Sequence, residues 1–153
     1  MLKKELNKIK STNTMLTIEN ERLREKALPH ILIVDDDIDI RYLIKTCLEK
    51  DYYILEASNG TEAIKILFEK NEQKEDEPVN LIILDIMMPN MDGYEVIKIL
   101  KRDKATKNIP VVFFSAKTQK KEIEKGLSLG ARGYLTKPFN PEKFPQKIRK
   151  FIS

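Results

Sequence analysis

Leu2, Leu6, Ile9, Asn13, Leu16, Asn20, Leu23 and Ala27 follow one another at alternating steps of four and three residues. A helix holding that register carries Leu2, Ile9, Leu16 and Leu23 at heptad position d. Leu6, Asn13, Asn20 and Ala27 then fall at position a. Leucine at d favours a parallel two-stranded coiled coil, and asparagine at a fixes register at a cost in stability. Residues 1–27 are therefore expected to form a self-associating helix that makes the protein a homodimer. The plainer alternative is an amphipathic helix lying on its own domain. Pro29 ends the helix, because proline pushes the preceding Leu28 towards extended geometry.

From His30 the period changes. HILIVD at 30–35 is a short apolar run ending in acids, the pattern of a buried strand. Ile40, Leu43, Ile44, Cys47 and Leu48 recur at helical spacing, and YYILEAS at 52–58 reads as a second strand. Ala63, Ile64, Leu67 and Phe68 share one helical face, and NEQKEDEPVN at 71–80 is a charged loop. LIILD at 81–85 is apolar throughout, as a strand buried on both faces is. A helix at 93–103 turns Val96, Ile97 and Leu100 inward, and IPVVFFS at 109–115 is a fourth strand. A helix at 119–129, a strand GYLT at 133–136 and a final helix complete the chain. Strands alternating with helices predict an α/β fold, an open, doubly wound parallel sheet of five strands with helices on both faces. The domains are then a helical segment, 1–29, and an α/β domain, 30–153.

Composition narrows the chemistry. The chain has 153 residues, 41% hydrophobic and 34% charged, enough for one folded core. No apolar run reaches the ~18–20 residues of a membrane span. The N-terminal MLKKELNKIK has no apolar stretch of the kind that makes a signal peptide. A single cysteine, Cys47, excludes a disulfide framework and suits a reducing cytoplasm. A single histidine, His30, excludes a two-histidine metal site; Cys47 is read as core and His30 as a strand-entry residue. The net charge of +4 is unevenly spread. Residues 1–29 carry 7 basic and 4 acidic side chains, residues 30–116 carry 11 and 17, and residues 117–153 carry 10 and 3. A basic stretch of that density points to a partner-binding face at 117–150.

In an open α/β sheet, ligands bind outside the carboxyl ends of the strands. Here the first strand runs into Asp35, Asp36 and Asp37, the third ends at Asp85, the fourth at Ser115, and the fifth leads to Lys137 and Pro138. Carboxylates so gathered repel by ~4 kcal/mol per pair at 4 Å and an effective dielectric of 20. Such a cluster holds either a proton or a cation. Oxygen ligands without histidine or cysteine fit a hard divalent ion, and Mg2+ suits few carboxylates and several waters. Taken singly, each residue has a structural reading: helix cap, buried acid, turn hydroxyl or surface lysine. Their joint occurrence at four strand ends favours phosphoryl chemistry.

Four segments, ILIVDDD at 31–37, LIILDIMMPNMDG at 81–93, VVFFSAK at 111–117 and GARGYLTKPF at 130–139, resemble the receiver domain of two-component response regulators. The resemblance covers 30–153 and implies a flavodoxin-like sheet with strand order 2-1-3-4-5. It makes Asp85 the phosphoacceptor. The Mg2+ ligands it implies are Asp35, Asp36, Asp85 and the backbone carbonyl of Met87. Ser115 corresponds to the switch hydroxyl, Lys137 to the lysine paired with the acyl phosphate, and Tyr134 to the aromatic that moves inward. The Lys137–Pro138 bond corresponds to a cis bond, and Asp37 reads as a helix N-cap. Two positions depart from the usual pattern. Met87 is apolar where polar residues often help position the hydrolytic water, and with Lys117 it is expected to slow loss of the phosphate. Pro145 falls where the last helix is usually unbroken, so that helix is expected to begin at Pro145.

The implied function is a phosphorylation-controlled switch, not an enzyme acting on a separate substrate. A histidine kinase or phosphotransfer protein supplies the phosphoryl group. The output is a protein contact on the 117–150 face or an action of the N-terminal helix. Three other readings are a receiver module of a larger hybrid kinase or regulator, a regulator touching DNA through its N-terminal helix, and an aspartyl-phosphate hydrolase. Residues 1–29 alternate Lys with Glu and hold no basic block, so nucleic acid is not the expected partner. The hydrolase lacks room for a substrate-covering cap.

Overall fold

The computed structural model describes residues 1–72 and 77–152. In chain order the elements are α1 (Leu2–Ala27), β1 (His30–Val34), α2 (Ile38–Leu48), β2 (Tyr53–Ala57), α3 (Gly60–Glu72), β3 (Val79–Leu84), α4 (Gly93–Arg102), β4 (Val111–Ser115), α5 (Lys120–Ser128), β5 (Gly133–Thr136) and α6 (Phe144–Arg149). The five strands form one parallel sheet in the order β2-β1-β3-β4-β5. This is the flavodoxin-like order that the resemblance implied.

Alternation along β1 explains the two-sided core. Leu32 and Val34 join one cluster with Leu67, Val96, Ile97 and Leu100, so α3 and α4 cover that face. Ile31 and Ile33 join the other with Ile44, Leu48, Phe144 and Ile148, so α2 and α6 cover the opposite face. Each fully buried leucine or isoleucine contributes about 1.5–3 kcal/mol by transfer from water. The strands must be apolar on both sides because helices lie on both sides.

Some boundaries and one side chain differ from the sequence pattern. Strand β3 begins at Val79, inside the stretch expected as loop. The Asn80 side chain accepts from the His30 backbone N–H at 2.8 Å, where the β1–β3 register shifts. Helix α3 runs to Glu72, and residues 73–76 of the charged stretch lie outside the described residues. Leu43 shares the helical spacing of α2 yet is 44% exposed, at the edge of the buried stripe. Helix α6 starts one residue before Pro145, which occupies the first turn, where its missing N–H costs no ladder bond.

Helix α1 buries none of its residues. Its last turn is nevertheless fastened to the sheet domain. The fully buried His30 donates from Nε2 to the Glu25 carbonyl at 2.6 Å, its ring lies 4.8 Å from Tyr53, and Nδ1 is 3.4 Å from Lys70 Nζ. The Arg24 guanidinium donates to the Glu49 carbonyl at the end of α2. His30 thus does more than open β1; it ties α1, β2 and α3 together. Among the described residues no helix is long and apolar enough to cross a membrane.

Candidate phosphoacceptor site

The parallel ladders extend one step past the strands and bring the expected residues to one edge. The Asp35 N–H donates to the Ala57 carbonyl, the Asp85 N–H to the Val34 carbonyl, and the Lys137 N–H to the Ser115 carbonyl. Asp35 is 2% exposed and Asp85 5%, while Asp36 lies at the surface. Asp35, Asp36 and Asp85 each offer an oxygen within 4.8 Å of the others. Lys137 Nζ lies 3.0 Å from Asp35 Oδ2 and 3.6 Å from Asp85 Oδ2. The Lys137–Pro138 peptide is cis.

Electrostatics distinguish these groups. Burial raises the Asp85 carboxyl to about 6, and the Asp35 charge adds to that; Lys137 and the N–H groups of Ile86 and Met87 act in the opposite sense. Burial works against the Lys137 ammonium, but its bond to Asp35 and the charges of Asp85 and Asp35 hold it above the usual lysine value. Two carboxylates therefore share one ammonium, which leaves negative charge for a cation to neutralise. An all-oxygen set with one exposed side, at Asp36, fits a hydrated divalent ion.

Asp37 is committed elsewhere. Its carboxylate accepts from the Asp39 N–H at 2.9 Å and caps α2, as expected. Its own N–H donates to Asp35 Oδ1 at 2.9 Å. Met87 follows Asp85 by two residues with its side chain 60% exposed. Ser115 is fully buried, and its hydroxyl accepts from the Lys117 N–H at 3.3 Å. The Tyr134 hydroxyl donates to the Lys117 carbonyl at 2.8 Å, and its ring packs 6.0 Å from Phe113. Lys117 itself reaches Glu122 of α5 at 3.8 Å.

Two residues escaped the sequence reading. Arg41 donates from Nη1 to the Asp35 carbonyl at 2.6 Å and from Nε to Glu56 at 3.2 Å, pinning the backbone that carries the acids. Gly93 donates to the Ile86 carbonyl, and a Cβ there would stand 2.4 Å from the Asp85 carbonyl oxygen. Only glycine lets α4 begin so close to the Asp85 backbone. The MDG run was a signal for Gly93; nothing in the sequence singles out Arg41.

Residues 31–149 match the response regulator receiver domain. The chain belongs to this family. Its receiver domain is 35% identical over 127 residues to the response regulator SaeR of Staphylococcus aureus, an alignment covering 82% of this chain and 51% of that protein. The chain thus spans about half the length of the curated relatives it matches. The chemotaxis protein CheY4 of Vibrio cholerae superposes with a TM-score of 0.71 at 30% identity, over 82% of this chain and 100% of that one. The phosphorylated cyanobacterial phytochrome response regulator RcpA gives 0.69 at 28%, over 81% and 91%. The signal receiver domain of a histidine kinase from Syntrophus aciditrophicus gives 0.68 at 29%, over 80% and 89%. The receiver is thus a phosphoacceptor signalling domain, with its acidic pocket at the edge described above.

Proposed function

We propose that Asp85 accepts a phosphoryl group from a phosphohistidine of a histidine kinase or phosphotransfer protein in the cytoplasm. A carboxylate oxygen of Asp85 forms the new O–P bond as the N–P bond to the donor imidazole breaks. The observation that carries this reading is the convergence of Asp85, Asp35, Asp36 and Lys137 from three strand ends, with one ammonium beside a buried pair of acids. Asp35, Asp36, Asp85 and the Met87 carbonyl would hold Mg2+, which supplies charge neutralisation for the carboxylates and the phosphoryl oxygens when bound. Lys137 stays between Asp35 and Asp85 and pairs with the added charge of about −1.5 to −2, in the range known for side-chain phosphates. Ser115 and Tyr134 read that charge, because both contact the Lys117 backbone that leads into α5.

The output face is residues 117–150, where α5 and α6 carry Lys120, Lys121, Lys125, Lys147 and Arg149. Its charge suits an acidic protein surface. The resemblance to a kinase-borne receiver keeps a second reading, a module of a larger hybrid protein, in view. Incubation with acetyl phosphate and Mg2+ tests the site. One phosphoryl group should be added, and Asp85→Asn should abolish it; normal labelling of the Asn variant overturns the assignment.

A further inference from the structure

We propose that α1 pairs with α1 of a second copy of this chain as a parallel, in-register coil, in which Glu19 of each helix meets Arg24 of the other. Along the a and d seam Leu2, Leu6, Ile9, Leu16 and Leu23 all stand open to solvent. Met15 and Ile18 are also exposed, but they fall at positions c and f and form no second seam.

The receiver does not occlude this seam. Its contacts with α1 run through the Arg24 side chain and the Glu25 carbonyl, with Glu21 beside Tyr53. Glu21, Arg24 and Glu25 are positions b, e and f, on the flank of the helix. Leu23, the d residue nearest the receiver, therefore remains as open as those further out. A second helix can lie along the whole a and d seam without displacing the domain.

Polar layers select the alignment. In a parallel, in-register pair Asn13 faces Asn13 and Asn20 faces Asn20, and each amide can donate to and accept from its mate. An antiparallel pair that matches all the layers sets Asn13 against Leu16 and Asn20 against Ile9. That leaves buried amides without partners. The flanks agree. In a parallel coil each g residue meets the following e residue of the other helix. Glu5 then meets Lys10, Thr12 meets Thr17 and Glu19 meets Arg24, with no like-charged pair.

Arg24 has a second role in this arrangement. One of its nitrogens is taken by the Glu49 carbonyl of its own receiver. The rest of the guanidinium fork is free to meet Glu19 of the second helix. Glu19 now sits 3.8 Å from Arg22 in an exposed pair that holds it weakly. Arg24 would thus join each receiver to the seam of the dimer, so the coil and the domain meet at a defined angle.

Two experiments on the full chain test this. Leu16→Cys should form a covalent dimer under mild oxidation, above any background from Cys47 in the unsubstituted chain. No such dimer, or cross-linking only between Leu16→Cys and Asn13→Cys chains, overturns the parallel alignment. In sedimentation equilibrium, Arg24→Glu should weaken self-association roughly tenfold, as two exposed pairs turn repulsive. The double variant Glu19→Arg/Arg24→Glu should restore it, although it also lacks the contact with Glu49. A double variant as weak as the single one overturns the Glu19–Arg24 pairing, and an unsubstituted chain that stays monomeric at every concentration overturns the coil.

Discussion

Asp85 is ionised at a cost. Burial and the neighbouring Asp35 raise its carboxyl from 3.8 to about 6, so the folded chain binds a proton that the unfolded chain has already released. The contribution of this group to stability is therefore present at low pH and is lost as pH rises through about 6. Asp85→Asn removes the charge and nearly keeps the shape. In metal-free buffer with a chelator, the Asn variant should be more stable than the unsubstituted chain at pH 7.5, by on the order of 2 kcal/mol. The gap should narrow as pH falls through about 6, because the folded chain then takes up the proton on Asp85, and it should close near 3.8, where the unfolded chain takes it up too. Urea midpoints at several pH values measure it; a gap that widens on acidification would mean the carboxylate is held charged. That Asp35, Asp36, Asp85 and Lys137 would meet was legible in the sequence, because a strand end fixes where a side chain arrives. Arg41 was not. Its role depends on a carbonyl that the backbone turns towards it, and no pattern of residue types records that direction.

At the scale of elements, the sequence period found every strand and helix of the sheet domain but not every edge. Strand β3 gained Val79 and Asn80 through a side chain that substitutes for a ladder partner, which no periodicity reports. Helix α4 shows how an element can place the site. Asp92 caps it by accepting from the Glu95 N–H at 2.9 Å, and Gly93 sets its first turn against the backbone of Asp85 and Ile86. A methyl group at Gly93 would meet two backbone atoms at 2.4 and 2.9 Å, neither of which can swing aside like a flexible side chain. Either α4 moves out or the Asp85 segment moves. Gly93→Ala should cost about 1–3 kcal/mol of stability, as overpacking does. It should also slow labelling of Asp85 by acetyl phosphate at saturating Mg2+. A variant that loses stability yet labels at the original rate would show that α4 alone absorbs the shift and does not position the acceptor.

The whole molecule separates its two ends. Helix α1 leaves from His30 at the start of β1, and the acid pocket lies beyond Val34 at the other end of that strand. Five strand residues span about 17 Å, more than the Debye length at physiological salt. Helix α2 is among the elements that touch both ends. Helix α2 begins just after Asp37, and the carbonyl that follows it, Glu49, receives Arg24. The groups placed to sense a phosphate lie elsewhere, because Ser115 and Tyr134 are on β4 and β5, on the opposite side of β3 from β1 and β2. Both lead towards α5 and not towards α2. Phosphorylation of Asp85 should therefore leave self-association through α1 nearly unchanged, within about twofold. Linkage makes the converse obligatory, since a phosphate that does not alter the dimer constant is bound equally by monomer and dimer. Light scattering across a concentration series, with and without beryllofluoride as phosphate mimic, measures the first. The affinity of beryllofluoride for the full chain and for residues 29–153 measures the second. A tenfold change in either would route the signal through α2 and Arg24, and would make the coil an output of the switch instead of a constant scaffold for it.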